Sequence, residues 1–108
     1  MDEFILIPNK VTKVFISMPM NGLSYKRIVN KCNDILIAND LTPKYCEIVN
    51  LLPEHKVKQL SPLECFIYSI EKLTEADFVI IYGDNSARGV SLEQQICDKY
   101  QIPYIRAF

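Results

Sequence analysis

Asp77-Phe-Val-Ile-Ile-Tyr-Gly-Asp-Asn-Ser-Ala-Arg-Gly-Val-Ser-Leu-Glu93 is the stretch whose reading decides the fold. It opens with an apolar, β-favouring run, Phe78 to Tyr82. A polar loop follows, Gly83 to Gly89, and then a helical pattern with Glu93 expected in its first turn. A strand that ends in a small polar loop before a helix makes a ligand site in parallel α/β folds. Backbone N–H groups at such a helix start are unpaired and attract anions. The helix dipole also favours a carboxylate there.

Working outward, Thr12 to Ser17 reads as a strand, stopped by Met18-Pro19-Met20-Asn21-Gly22. Ser24 is the candidate N-cap of a helix to about Asn39, with Ile28, Cys32, Ile35 and Leu36 on one face. Lys26, Arg27, Lys31 and Asp34 form its charged face. Residues 44–51 read as the next strand, and 53–60 as a polar connection containing His55. Ser61-Pro62-Leu63-Glu64 is a helix start with a Ser cap, Pro first and Glu third. The stripe Leu63, Phe66, Ile67, Ile70, Leu73 carries that helix to about Glu75. Ser91-Leu-Glu-Gln94 is a second capping-box pattern, so the last helix begins between Arg88 and Leu92. Leu92, Ile96 and Tyr100 mark its expected buried side, and residues 103–107 read as a final strand. A further short strand is expected at residues 3–7.

Alternation of strands and helices at this spacing predicts a parallel sheet with helices on both faces. The expected order is 2-1-3-4. The loops Ser17 to Gly22 and Gly83 to Gly89 then open into one crevice, with Ser17 and Ser86 facing it.

A chain of 108 residues makes one domain, 1–108. Its 49% hydrophobic and 23% charged residues are ordinary for a globular chain, and a net charge of −1 gives no nucleic-acid footprint. The cysteines at 32, 46, 65 and 97 form no CxxC pair, and the chain has one His, which argues against zinc. Their apolar surroundings read as buried, reduced thiols. Together with the lack of an apolar run of membrane length and of a basic leader, this predicts a cytoplasmic protein with no membrane partner.

Glu93 is the sharpest candidate for chemistry. A carboxylate facing a crevice can attack a sugar carbon, although a Glu early in a helix also serves as an ordinary cap. Asn85, Ser86, Arg88 and Gly89 suit a phosphate, carboxylate or ribose, and would equally build a plain polar turn. Ser17 and Asn21 stand at the end of the first strand. Gly22 permits a tight turn, and Met18 and Met20 supply an apolar wall for a base or simply pack. Asp77 reads as a local hydrogen-bonding residue. Neither a P-loop nor a GxGxxG fingerprint is present, and no cofactor is implied.

Val14-Phe-Ile-Ser-Met-Pro-Met-Asn-Gly22 resembles the opening of a family of small, mostly bacterial and phage proteins that begin "(I/V)(Y/F)IS.PM.G". Ala76 to Ile80, Asn85 to Glu93 and Tyr100 to Pro103 resemble its second half, "aD.v…W..S.GA..E...A...G.P". This is the DUF4406 family, similar in fold to nucleoside 2-deoxyribosyltransferases, and the resemblance covers most of the chain in order. It implies a doubly wound, flavodoxin- or Rossmann-like sheet, a homo-oligomer and a nucleoside or nucleotide pocket. It also implies that Glu93 attacks the anomeric carbon in a retaining, two-step reaction. The chain departs from the transferases at Ser69, where they carry a base-holding Asp. It also departs at Ala87, where they carry an acid or a phosphate-binding Ser, and at Gly83-Asp-Asn, where the family's aromatic residue is missing.

Three readings follow. The first is an enzyme that cleaves or transfers an N-glycosidic bond through Glu93, with Ser17, Met18, Asn21, Gly22, Asn85, Ser86, Arg88 and Gly89 binding substrate. The second is a non-catalytic protein that sequesters a nucleotide or nucleotide-derived signal, favoured by Ser69 and Ala87. The third is an interaction module without a small ligand. A homodimer or higher homo-oligomer is expected, with Phe4, Ile5 and Leu6 available to bury.

Overall fold

The computed structural model describes residues 11–19, 22–83 and 88–107. The expected strand at 3–7, with Phe4, Ile5 and Leu6, lies outside the described residues, as do Met20, Asn21, Asn85, Ser86 and Ala87. The element order is β1 (Thr12–Ser17), α1 (Tyr25–Ala38), β2 (Cys46–Ile48), α2 (Glu54–Val57), α3 (Pro62–Lys72), β3 (Phe78–Tyr82), α4 (Arg88–Lys99) and β4 (Ile105–Ala107). Single 3-10 turns precede β2 at Pro43–Tyr45 and follow α3 at Leu73–Glu75.

The four strands form one sheet in the order β2-β1-β3-β4, and every pairing is parallel. This is the expected α/β arrangement and strand order. The central pair aligns Val14 with Phe78 and Ser17 with Ile81, so both strands end together. Asp77 locks the start of that pair. Its backbone N–H donates to the Lys13 carbonyl at 2.7 Å, and its Oδ2 accepts from the Lys13 N–H at 3.0 Å.

Alternation along β1 sends successive side chains to opposite faces. Val14 and Ile16 join Ile80 against Cys32, Ile35 and Leu36 of α1. Phe15 joins Val79 and Ile81 against Leu73, and against Val90 and Cys97 of α4. Helices therefore cover both faces. Phe15, Ile16, Ile80 and Ile81 are wholly excluded from solvent, and each such side chain contributes about 1.5–3 kcal/mol.

The helix starts follow the expected chemistry. Ser24 Oγ accepts from the Arg27 N–H at 3.2 Å, and α1 buries the predicted face while its charged residues stay exposed. At α3 the capping box closes both ways: Ser61 Oγ accepts from the Glu64 N–H at 3.1 Å, and Glu64 Oε1 accepts from the Ser61 N–H at 2.8 Å.

Several expectations are corrected. The strand expected over 44–51 is three residues long, because Pro43 opens a 3-10 turn and the chain bends away after Ile48. The polar connection at 53–60 contains the short helix α2. On α3, Leu63 and Ile67 are 67% and 49% exposed, so only the C-terminal half of the stripe packs inward. Helix α4 starts at Arg88, which puts Glu93 in the second turn rather than the first. The Ser91–Gln94 capping box does not form, because Ser91 already lies inside the helix, where its Oγ accepts from Gln95 Nε2 at 3.3 Å. The buried side of α4 is Val90, Glu93 and Cys97, whereas Leu92 and Tyr100 are exposed. Of the expected series only Ile96 packs against the core, and the Glu at the middle of the inner face disguises that face.

All four cysteines are free thiols, and Cys32 and Cys97 are buried. Burial pushes both of these thiols up to about 11, which leaves them un-ionised and unreactive at neutral pH. Among the described residues, no helix is long and apolar enough to cross a membrane.

Candidate functional site

The site grows from the C-terminal ends of β1 and β3. Pro19, just after β1, packs against Gly83, just after β3. A Cβ on Gly83 would stand 3.1 Å from Pro19 Cδ, and Gly83 has φ +97°, so glycine meets both a steric and a conformational demand there. The chain thus leaves β1 and β3 side by side. Arg106 on β4 secures the second of them. Its guanidinium donates to the Gly83 carbonyl at 2.5 Å and to Gln94 Oε1 on α4.

Glu93 projects from α4 beneath this junction and is only 7% exposed. Ser17 Oγ, at the end of β1, donates to Glu93 Oε1 at 2.5 Å. Ser69 Oγ, on α3, donates to Glu93 Oε2 at 2.9 Å. Each carboxylate oxygen is therefore held by one hydroxyl, and the carboxylate is fixed from two different elements. No cation pairs with it among the described residues. Burial pushes the carboxyl above its ordinary range, while the two hydroxyl donors pull it partly back.

The carboxylate lines a cleft of about 310 Å³, within the size range of small-ligand sites. Met18 and Pro19 supply one wall, Arg88, Gly89 and Val90 another, and Pro62, Cys65, Phe66 and Ser69 a third. Asn50 closes the floor beside Ile16. A guanidinium at the rim, an ordered carboxylate below and an apolar wall opposite can receive a polar or anionic ligand with an apolar part.

Of the expected site residues, Ser17 and Glu93 bond directly, and Met18, Arg88 and Gly89 share the cleft with Glu93. Asn21, Asn85 and Ser86 lie outside the described residues. Gly22 makes the predicted turn with φ +80° but does not line the cleft. Sequence reading missed Asn50, Pro62, Cys65 and Phe66, and treated Ser69 only as a departure from a pattern. The available signal was helical spacing: 62, 65, 66 and 69 fall on one face of α3, and a Ser on an otherwise apolar face asks for a buried partner.

Asn50 does something the linear reading could not show. Its Oδ1 accepts from the Ile16 N–H at 3.0 Å, and its Nδ2 donates to the Ile16 carbonyl at 2.8 Å. The side-chain amide thereby continues the ladder of β2 past the point where the backbone turns away.

Among the described residues, no group of three or more His, Cys, Asp or Glu side chains could hold a metal ion. Comparison with protein-family models, with curated proteins and with solved structures finds no match for this chain.

Proposed function

We propose that the chain is a nucleoside 2-deoxyribosyltransferase-like protein of doubly wound, flavodoxin-like type, related to the DUF4406 family, that breaks or transfers an N-glycosidic bond through Glu93. The observation that carries this reading is the carboxylate of Glu93, buried at the cleft and oriented by Ser17 and Ser69, with no neutralising cation among the described residues. A structural carboxylate normally has a cationic partner or is exposed. One kept buried and ordered at a cleft suits attack on an electrophilic carbon.

In the proposed first step a Glu93 oxygen bonds to the anomeric carbon, and the C–N bond breaks with its electron pair leaving on the base. In the second step water or another base attacks the same carbon and displaces the carboxylate. The departing base takes up the proton that the incoming nucleophile loses, so the overall exchange balances. Retention at the sugar carbon follows from two displacements. Arg88 at the rim supplies charge for a phosphate or other anionic substituent.

A second reading has its own support. Hydroxyls on both carboxylate oxygens lower its nucleophilicity, which suits a protein that binds a nucleotide or nucleotide-derived signal and does not turn it over. Incubation with a panel of nucleosides and nucleotides, followed by chromatography, separates the two. Free base is the expected product. Tight binding without any released base would replace the catalytic reading with the sequestering one.

The proposed protein is also a homo-oligomer, most simply a dimer. Leu63 and Ile67 on α3 and Leu92 on α4 stand exposed, on the two helices that carry Ser69 and Glu93. Light scattering is expected to give a multiple of the monomer mass, and Leu63→Glu together with Ile67→Glu to shift it to the monomer. A monomer mass for the wild type over a wide concentration range refutes the assembly.

A further inference from the structure

A second cavity adjoins the Glu93 cleft. It has a volume of about 120 Å³ and is lined by Tyr25 and Ile28 of α1, Leu51 and Leu52 after β2, and Val57 of α2. Asn50, Cys65 and Ser69 line both cavities and form the wall they share. Ser69 is the residue that holds Glu93 Oε2 at 2.9 Å, so the side cavity begins one side chain away from the carboxylate.

The polar groups around this side cavity are already engaged. Tyr25 donates its hydroxyl to the Leu52 carbonyl at 2.6 Å. Asn50 spends both ends of its amide on Ile16. Ser69 gives its proton to Glu93. The rest of the lining is the aliphatic side chains of Ile28, Leu51, Leu52 and Val57 and the Tyr25 ring. A polar substituent entering it would find few donors to replace the water it loses, the second Nδ2–H of Asn50 and the Cys65 thiol among them. An apolar one would lose nothing, and apolar cavities of about 150 Å³ are known to accept a benzene ring.

We infer that the leaving group of this protein's ligand carries an apolar substituent, between a propyl group and a phenyl ring in size, which occupies the Tyr25–Ile28–Leu52–Val57 cavity while the glycosidic carbon lies at Glu93. The assignment rests on the glycosidic reading of the Glu93 cleft. The side cavity then selects substituted bases over plain ones through apolar burial, with Asn50, Cys65 and Ser69 lying between the two compartments.

The test measures binding, so that it does not depend on turnover. Plain and propyl-substituted purine and pyrimidine deoxynucleosides are titrated in pairs by calorimetry. The propyl member of at least one pair is expected to bind about tenfold or more tightly, the gain from burying three carbons at least in part. Val57→Phe, which fills the cavity from its exposed short helix, is expected to abolish the difference within that pair. Equal or weaker binding of every propyl member, or a preference that survives Val57→Phe, overturns the inference. In parallel, toluene is titrated into wild-type protein while the methyl resonances of Ile28, Leu52 and Val57 are followed. Shifts confined to these methyls are expected. If no nucleoside binds but toluene shifts them, the glycosidic reading fails and the apolar cavity stands. If nucleosides bind and toluene leaves these methyls unmoved, the cavity assignment fails and the glycosidic reading stands.

Discussion

Replacing Glu93 with Gln is expected to lower base release by roughly a thousandfold or more, equivalent to about 4 kcal/mol of barrier. The amide keeps the shape of the carboxylate but cannot attack as an anion. Its oxygen can still accept from Ser17, and its NH2 can donate to Ser69 Oγ, so the local geometry is preserved. Ligand binding is expected to survive. Near wild-type turnover of a confirmed substrate by the variant would remove Glu93 from the role of nucleophile.

The same substitution makes a prediction about stability with a definite sign. Burial holds the folded-state carboxyl above its ordinary value. The folded protein therefore binds more protons than the unfolded chain in the window between the two values. Stability from this group is fully present below the unfolded value and is lost as pH rises through the folded one. Glu93→Gln carries no ionisable group there, so this slope disappears. Thermal denaturation is expected to show the variant gaining on the wild type as pH rises above the ordinary carboxyl value. A site that lowers stability to keep a charge poised, and that stabilises when the charge is removed, is the usual trade between activity and stability. A wild type that gains on the variant as pH rises would contradict a carboxyl raised by burial.

Asn50→Ala is expected to destabilise the fold by about 2–5 kcal/mol, because two buried backbone groups lose their partners at once. Ile16 is fully excluded from solvent, and its outer N–H and carbonyl are met by the Asn50 amide. Its neighbour on the other side, Ile80, belongs to β3 and cannot serve both edges. Asn50→Asp keeps the acceptor and loses the donor, so its cost should fall between those of the wild type and Ala. Urea unfolding of the three proteins measures this order. A cost for Ala within about 0.5 kcal/mol, the range of an ordinary surface change, would mean that the amide is dispensable to the ladder. The substitution bears on the cleft as well, since Asn50 lines it between Ile16 and Ser69.

Much of the scaffold was legible because its signals are local. Ser24 and Ser61 announce helix starts through partners three residues away, and the structure realises both caps. The apolar runs around Phe15 and Ile80 are long enough to be central strands, and their separation by helical segments fixes parallel pairing. Ser17 and Glu93 were legible as candidates from their places at a strand end and near a helix start.

Other features were decided by contacts between residues distant in sequence. Which face of α4 turns inward depends on the sheet it meets, and the answer put Glu93 in the core where composition would have put Leu92. Residues 44–51 have the composition of a full strand, yet the ladder ends at Ile48, and the Asn50 side chain, 34 residues from Ile16, takes its place. Ser69 looked like a missing acid in the linear sequence. In three dimensions it lies across from Glu93 and holds one of its oxygens. The amino-acid sequence by itself determined the central strands, the three long helices, their order and the parallel sheet, because capping and hydrophobic periodicity act over a few residues. Only the tertiary structure decided the partners of Glu93, the amide ladder at Asn50 and the cavity beside the cleft. Those depend on which side chains β1, α3 and α4 bring within hydrogen-bonding distance, and local sequence carries no record of that distance.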